Sequence, residues 1–312
     1  MNPAYSVIVF TTVAGAAQGL VVALAVAVLA GVAVAPAFLG FALLAAIVLL
    51  VVGLGASFLH LGRPERAWRA AMMWRTSWLS REVIALPAFI GVVALWWLAL
   101  RVDAGSLWTS LLFPLVAIAG AALLWYCTAM IYACLRFIEE WSHPLTLINY
   151  TLTGLASGLL LGTALATLAG EGAFAGVTGP SALVVTLVGW ATRMLALRRN
   201  ATLVPRSTLQ SATGIASARL AQTSMGMSAG SFNTRVFFLR ASAAALLRIK
   251  GIAIVLGFAL PSLLVAGVAV GALPDFACVA AMVVQAPGLI ADRWLFFAQA
   301  KHPQNLYYQV VS

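Results

Sequence analysis

The stretch FLHLGRPERAWRAAMMWRTSWLSRE, residues 58–82, gathers a histidine, five arginines and two acids where a long apolar run stops. His60 is followed by Arg63, Glu65, Arg66 and Trp68 within a turn or two, and Gly62 and Pro64 end the helix that carries it. An imidazole in this position has two readings. It can cap carbonyls and meet the helix dipole, or it can line a pocket open to lipid, hydrogen-bond a quinone carbonyl and pass a proton. Glu82 follows Ser80 at the next helix start, where a serine cap and an early acid are ordinary structural chemistry. It also begins a span antiparallel to that of His60, so the two share a membrane depth and can share a proton path.

Other ionisable groups are sparser. Asp292 and Arg293 fall about two turns before the end of the last apolar run, where they either pair locally or point into a bundle. Glu139, Glu140 and His143 in RFIEEWSHP read as a solvated turn rather than a metal site, because adjacent acids at a helix end do not face one ion together. Haem would need facing axial ligands. His60, His143 and His302 all lie at or beyond span ends, so neither haem nor a bound metal is expected. Cys127, Cys134 and Cys278 lack C-x-x-C spacing and read as packing residues.

The elements that must position these groups are apolar helices. The 312 residues are 63% hydrophobic and 8% charged, with a mean hydropathy of +1.03, far from the composition of soluble domains. Eight runs are long enough to cross a hydrocarbon core of about 30 Å: 5–30, 38–60, 83–100, 108–135, 145–169, 181–197, 250–271 and 276–298. The sequence thus predicts an all-α integral membrane bundle of eight transmembrane helices, in one domain over 1–312. The first run lacks the basic flank of a secretion signal and is expected to remain.

Of the 18 Lys and Arg, every one but Arg101 falls on the same side of these spans, Arg193 among them. The positive-inside rule then puts both termini, residues 61–82 and a long loop at about 198–249 in the cytoplasm. The net charge of +10 follows that orientation and suits anionic lipid, with no nucleic acid required. The long loop holds Met225, Met227, Phe232, Phe237 and Phe238, which suit docking of a protein partner better than a plain linker.

SFLHLGRPERAW followed by LSRE resembles the membrane anchors of molybdopterin oxidoreductases, the dimethyl sulfoxide reductase anchor family. YACLRFIEEWSHPLTLINYTLTGLASGLLLG and MGMSAGSFNTRVFF are similar to the branch that includes the anchor of the cytoplasmic sulfite:quinone dehydrogenase. The resemblance implies a haem-free anchor in the bacterial inner membrane that binds ubiquinone or menaquinone. It also implies an iron–sulfur (ferredoxin-like) subunit and a molybdopterin catalytic subunit docked on the anchor. By the same resemblance His60, Gly62 and Arg66 match the quinone-site motif and Glu82 its acidic partner; Arg63, Trp68 and Asp292 complete the expected site. GLIADR in the last run departs from the family's G-E-L-I-G-R pattern, with its acid displaced.

Rival functions keep part of this picture. The same architecture serves quinol oxidation feeding a reductase for an S-oxide or N-oxide. A secondary transporter would place ionisable groups at the midplane of broken spans, whereas here they cluster at one end. Gly154, Gly158 and Gly162 in the fifth run read as a close-packing stripe.

Overall fold

A computed structural model describes residues 1–59, 61–223, 239 and 241–307. Among them there are eight helices long and apolar enough to cross a membrane, and no strand. They are α1 (Tyr5–Leu29), α2 (Pro36–Phe58), α3 (Trp78–Val102), α4 (Trp108–Ala133), α5 (Pro144–Ala169), α6 (Gly172–Ala201), α7 (Ala243–Ala269) and α8 (Ala277–Ala298).

Five of the expected spans agree with these helices to within a few residues, and α3 and α7 begin somewhat earlier than expected. The sixth differs most. The sequence predicts it over 181–197 with a loop at 170–180, yet α6 has 30 residues and is the longest, leaving Gly170 and Glu171 as its junction with α5. Gly172, Gly176, Gly179 and Pro180 make the sequence look like a loop, but the apolar surroundings hold the helix through them. Gly170 turns the chain in the left-handed conformation, at φ 77°.

Helix α1 is the hub, packing against α2, α4, α5 and α8. Ala17, Leu20, Val21, Leu24 and Ala25 along it are fully buried. The closest approach is to α5, where a Cβ on Gly158 would overlap the backbone of Gly19 and Leu20. Here the glycine stripe lets two backbones touch, which supplies packing that lipid cannot. Gly257 on α7 and Gly288 on α8 repeat the device.

Two helices carry π-helical turns just before a proline. In α4, the Phe113 N–H reaches back to the carbonyl of Trp108 and Pro114 offers no donor. The Thr109 carbonyl is left over, and the buried Trp96 indole on α3 donates to it at 3.1 Å. In α7, Pro261 frees the Gly257 carbonyl, which accepts a long bond of 3.5 Å from Gln285 on α8.

The start of α1, the 134–143 connection, the end of α6 and residues 298–307 gather at one end of the bundle. Arg199 donates twice to the Glu139 carbonyl, and the Lys301 amide donates to Glu140. Arg206 lies 3.6 Å from the Glu139 carboxylate. The 134–143 connection is therefore a built corner, not the solvated turn expected. Trp141 is buried and donates to the Phe296 carbonyl at 3.0 Å.

Candidate functional site

Helix α2 ends at Phe58, and the motif histidine, His60, lies outside the described residues. So do Met225, Met227, Phe232, Phe237 and Phe238 of the expected docking loop. Further along, the chain forms a 3₁₀ segment, Pro64–Met73, that buries no residue. Gly62, Arg63, Arg66 and Trp68 are all exposed, Trp68 at 61%. Arg66 approaches Glu65 at 3.9 Å with both side chains largely in the open, a pair worth little. Trp68, Met72, Met73 and Trp74 also face outward, and Arg69 and Arg75 lie over the rings of Trp68 and Trp74. Such an aromatic and basic surface suits the water–lipid boundary.

Glu82 is placed differently. The cap of α3 is Ser77, whose hydroxyl accepts from the Ser80 amide, so Ser80 is not the cap that the sequence suggests. Glu82 thus falls beyond the first turn and faces into the bundle, 5% exposed, accepting a hydrogen bond from the Thr128 hydroxyl on α4. Arg81 turns the other way, donating to the carbonyls of Trp74 and Arg75 and stacking on Trp78. Among the described residues, no hydrogen bond or ion pair joins Glu82 to Arg66, Trp68 or Asp292.

Asp292 and Arg293 do point into the bundle, and they do not pair with each other. Consecutive helical residues diverge by about 100°. Asp292 is bound by Arg193 of α6, Nε to Oδ1 at 2.5 Å. Arg293 turns toward α5, where Nη2 donates to Thr153 at 2.9 Å and the guanidinium lies 3.6 Å from the Tyr150 ring centroid. The sequence groups Arg193 with the rim arginines; it is 4% exposed and belongs to the interior.

From Arg293 the polar layer continues toward Glu82. Tyr150 on α5 stacks on Tyr132 of α4, centroids 5.7 Å apart. Tyr132 lies one helical turn from Thr128, the partner of Glu82. Trp141, Phe296 and Phe297 enclose this pair with ring contacts of 5.2 to 5.9 Å. A narrow cleft opens from the rim at Glu140, His143 and Arg199 and reaches Tyr150, Asp292 and Arg293. A second one, between α1, α5 and α8, ends on the same Asp292 and Arg293 from the other side.

Sequence reasoning missed Arg193, Thr128, Tyr132, Tyr150 and Thr153. A signal for part of this was present: Thr146, Asn149, Tyr150 and Thr153 recur at helical spacing in an apolar run, and all four are buried. At the rim, the His143 Nδ1 accepts from the Leu145 amide and caps α5. Burial, then the Arg199 charge, lowers the His143 pKa from its ordinary value. Among the described residues, no three His, Cys, Asp or Glu converge as metal ligands would.

The profile of the DMSO reductase anchor subunit (DmsC) family matches residues 1–298. The chain belongs to that family. This anchor is 46% identical to the C subunit of sulfite dehydrogenase from Allochromatium vinosum over 335 aligned positions, covering 100% of both proteins. It is also similar to two Escherichia coli K12 proteins over part of its length. The YnfH chain of anaerobic dimethyl sulfoxide reductase is 33% identical over 38% of this anchor and 41% of its own length. The C chain of anaerobic dimethyl sulfoxide reductase is 29% identical over 45% and 49% respectively. With its eight apolar helices, this anchor is a multi-pass membrane protein.

Proposed function

We propose that this anchor passes electrons from an iron–sulfur subunit to membrane quinone, for a molybdopterin subunit that oxidises sulfite to sulfate. The full-length likeness to the C subunit of a sulfite dehydrogenase supports the substrate. The observation that carries the site is Glu82, a carboxyl group buried at the first turns of α3 beside the exposed aromatic and basic 61–77 segment. A carboxyl group there fits the oxygen of a quinone whose tail lies in lipid.

A bound quinone supplies a couple of two electrons and two protons. The chain's own residues do the rest. Glu82 holds a proton to give, with Thr128 fixing its orientation. His60 is the second proton donor. Gly62 leaves room for the head group, Trp68 flanks it, and Arg63 and Arg66 offer positive charge to a developing anion. Asp292, bound to Arg193, stands inside the bundle and is not a contact of the head group. The soluble subunits dock on the cytoplasmic face of the inner membrane, the side to which the arginines assign both termini.

His60→Ala and Glu82→Gln test this in the assembled complex. The expected result is loss of quinone-linked sulfite oxidation with sulfite oxidation by a soluble dye retained. Equal loss of both activities would remove the assignment. A second reading, quinol oxidation feeding a reductase, is supported by the two Escherichia coli relatives, whose names are those of dimethyl sulfoxide reductase chains. Co-purification separates the two. A molybdopterin subunit without a twin-arginine signal favours sulfite oxidation in the cytoplasm, and one bearing that signal favours the reductase.

A further inference from the structure

Tyr150 combines three properties. It is 2% exposed, it lines the cleft that opens at Glu140 and His143, and its hydroxyl is buried without a well-formed hydrogen bond. The Tyr150 ring stacks on that of Tyr132, centroids 5.7 Å apart, which sets the two side chains next to each other. A buried hydroxyl without a settled partner is unfavourable, and its position between a cleft and a buried acid gives it a use.

We infer that Tyr150 and Tyr132 form a proton relay from the Glu140–His143 cleft to Glu82. This rests on the proposed role of Glu82 and adds where its protons come from. Glu82 would otherwise have to be resupplied through the lipid-facing boundary near the 61–77 segment. The interior route is built from α4, which carries Thr128 and Tyr132, and α5, which carries Tyr150. Each reduction of a quinone to a quinol takes up two protons, the two electrons coming from the iron–sulfur partner. When Glu82 has given one up, the Tyr132 hydroxyl, on the turn of α4 that follows Thr128, passes its proton to the carboxylate through a bridging water and takes one from Tyr150. Tyr150 takes one in turn from water in the cleft, and that water regains a proton from solvent at the cleft mouth. Each hydroxyl loses one proton and gains one, so the relay returns to its starting state.

The charges along this path favour hydroxyl transfer over a free hydronium ion. Arg193 and Arg293 face the cleft, and Asp292 is bound to Arg193, which leaves the Arg293 guanidinium as a local positive charge over Tyr150. That field opposes a cation in transit. A relay in which bonds switch along neutral hydroxyls meets less of it. Arg293 also lies 3.6 Å from the Tyr150 ring centroid, and Tyr132 stacks on the same ring.

Tyr132→Phe and Tyr150→Phe keep the stack and remove only the hydroxyls. In the purified complex, each is expected to lower the quinone-linked rate about tenfold or more. The KM for quinone should change less than twofold, and membrane-bound dye-linked activity should stay at the wild-type level. Glu82→Gln is measured alongside. If it abolishes quinone turnover while both tyrosine variants run at the wild-type rate, the relay is overturned and the role of Glu82 stands. If Glu82→Gln itself runs at the wild-type rate, the role of Glu82 falls and the relay has no destination.

Discussion

Arg193 on α6 and Asp292 on α8 form an ion pair inside the bundle, with their side chains 4% and 7% exposed. It ties together two helices that have α7 between them in the chain. Removing one partner strands the other charge in a low-dielectric interior, which costs about 3–5 kcal/mol in soluble proteins. Arg193→Met and Asp292→Leu should each lower the thermal midpoint of the detergent-solubilised anchor sharply. The double variant should recover most of the loss, because no unpaired charge remains. A double variant as unstable as the singles would refute this account.

At the α1–α5 crossing, Gly158→Ala should destabilise the anchor by about 1–3 kcal/mol, since the new methyl group overlaps the Gly19 backbone. Gly176→Ala on α6 is the control. A Cβ there meets nothing within 4 Å, and the substitution should be neutral or slightly stabilising. Thermal midpoints of the two variants in the same detergent decide it.

Trp96→Phe removes the donor that serves the Thr109 carbonyl at the π-helical turn of α4. The unpaired carbonyl alone should cost about 1–3 kcal/mol. Pro114→Ala restores a backbone N–H one turn away and should reduce the cost of Trp96→Phe. Independent, additive effects of the two substitutions would argue against the shared carbonyl.

His143 caps α5 through a ring nitrogen that must be unprotonated to accept the Leu145 amide. Its pKa is lowered in the folded protein, so the unfolded chain binds the proton more readily. The stability contributed by the neutral cap is complete above the unfolded value of 6.5 and is lost as the pH falls through it toward the lower folded value. Amide-exchange protection in the first turn of α5 should therefore drop as the pH is lowered across that range. His143→Asn should keep the cap and lose that dependence on pH.

The spans are legible in the sequence because twenty apolar residues leave a chain few alternatives in lipid. The start of α6 is not, because glycines and Pro180 carry the same local signal in a loop and in a buried helix. Asp292 stands out as a chemical residue, yet its partner Arg193 is drawn to the rim by its neighbours Arg198 and Arg199. Nothing local distinguishes an arginine that stays at the surface from one that finds a carboxylate 99 residues further on. Glu82 is identifiable by type and by resemblance, while the depth of its side chain depends on Ser77 being the cap.

The glycine contact between α1 and α5 also sets a schedule for biosynthesis. Gly158 is made about 140 residues after Gly19, a delay on the order of ten seconds at ordinary rates of translation. During that interval α1 must persist in the bilayer with acyl chains against the groove that α5 will later fill. Its apolar length keeps it there without that neighbour, so one of the two most enclosed helices of the finished bundle begins as a solitary one in lipid.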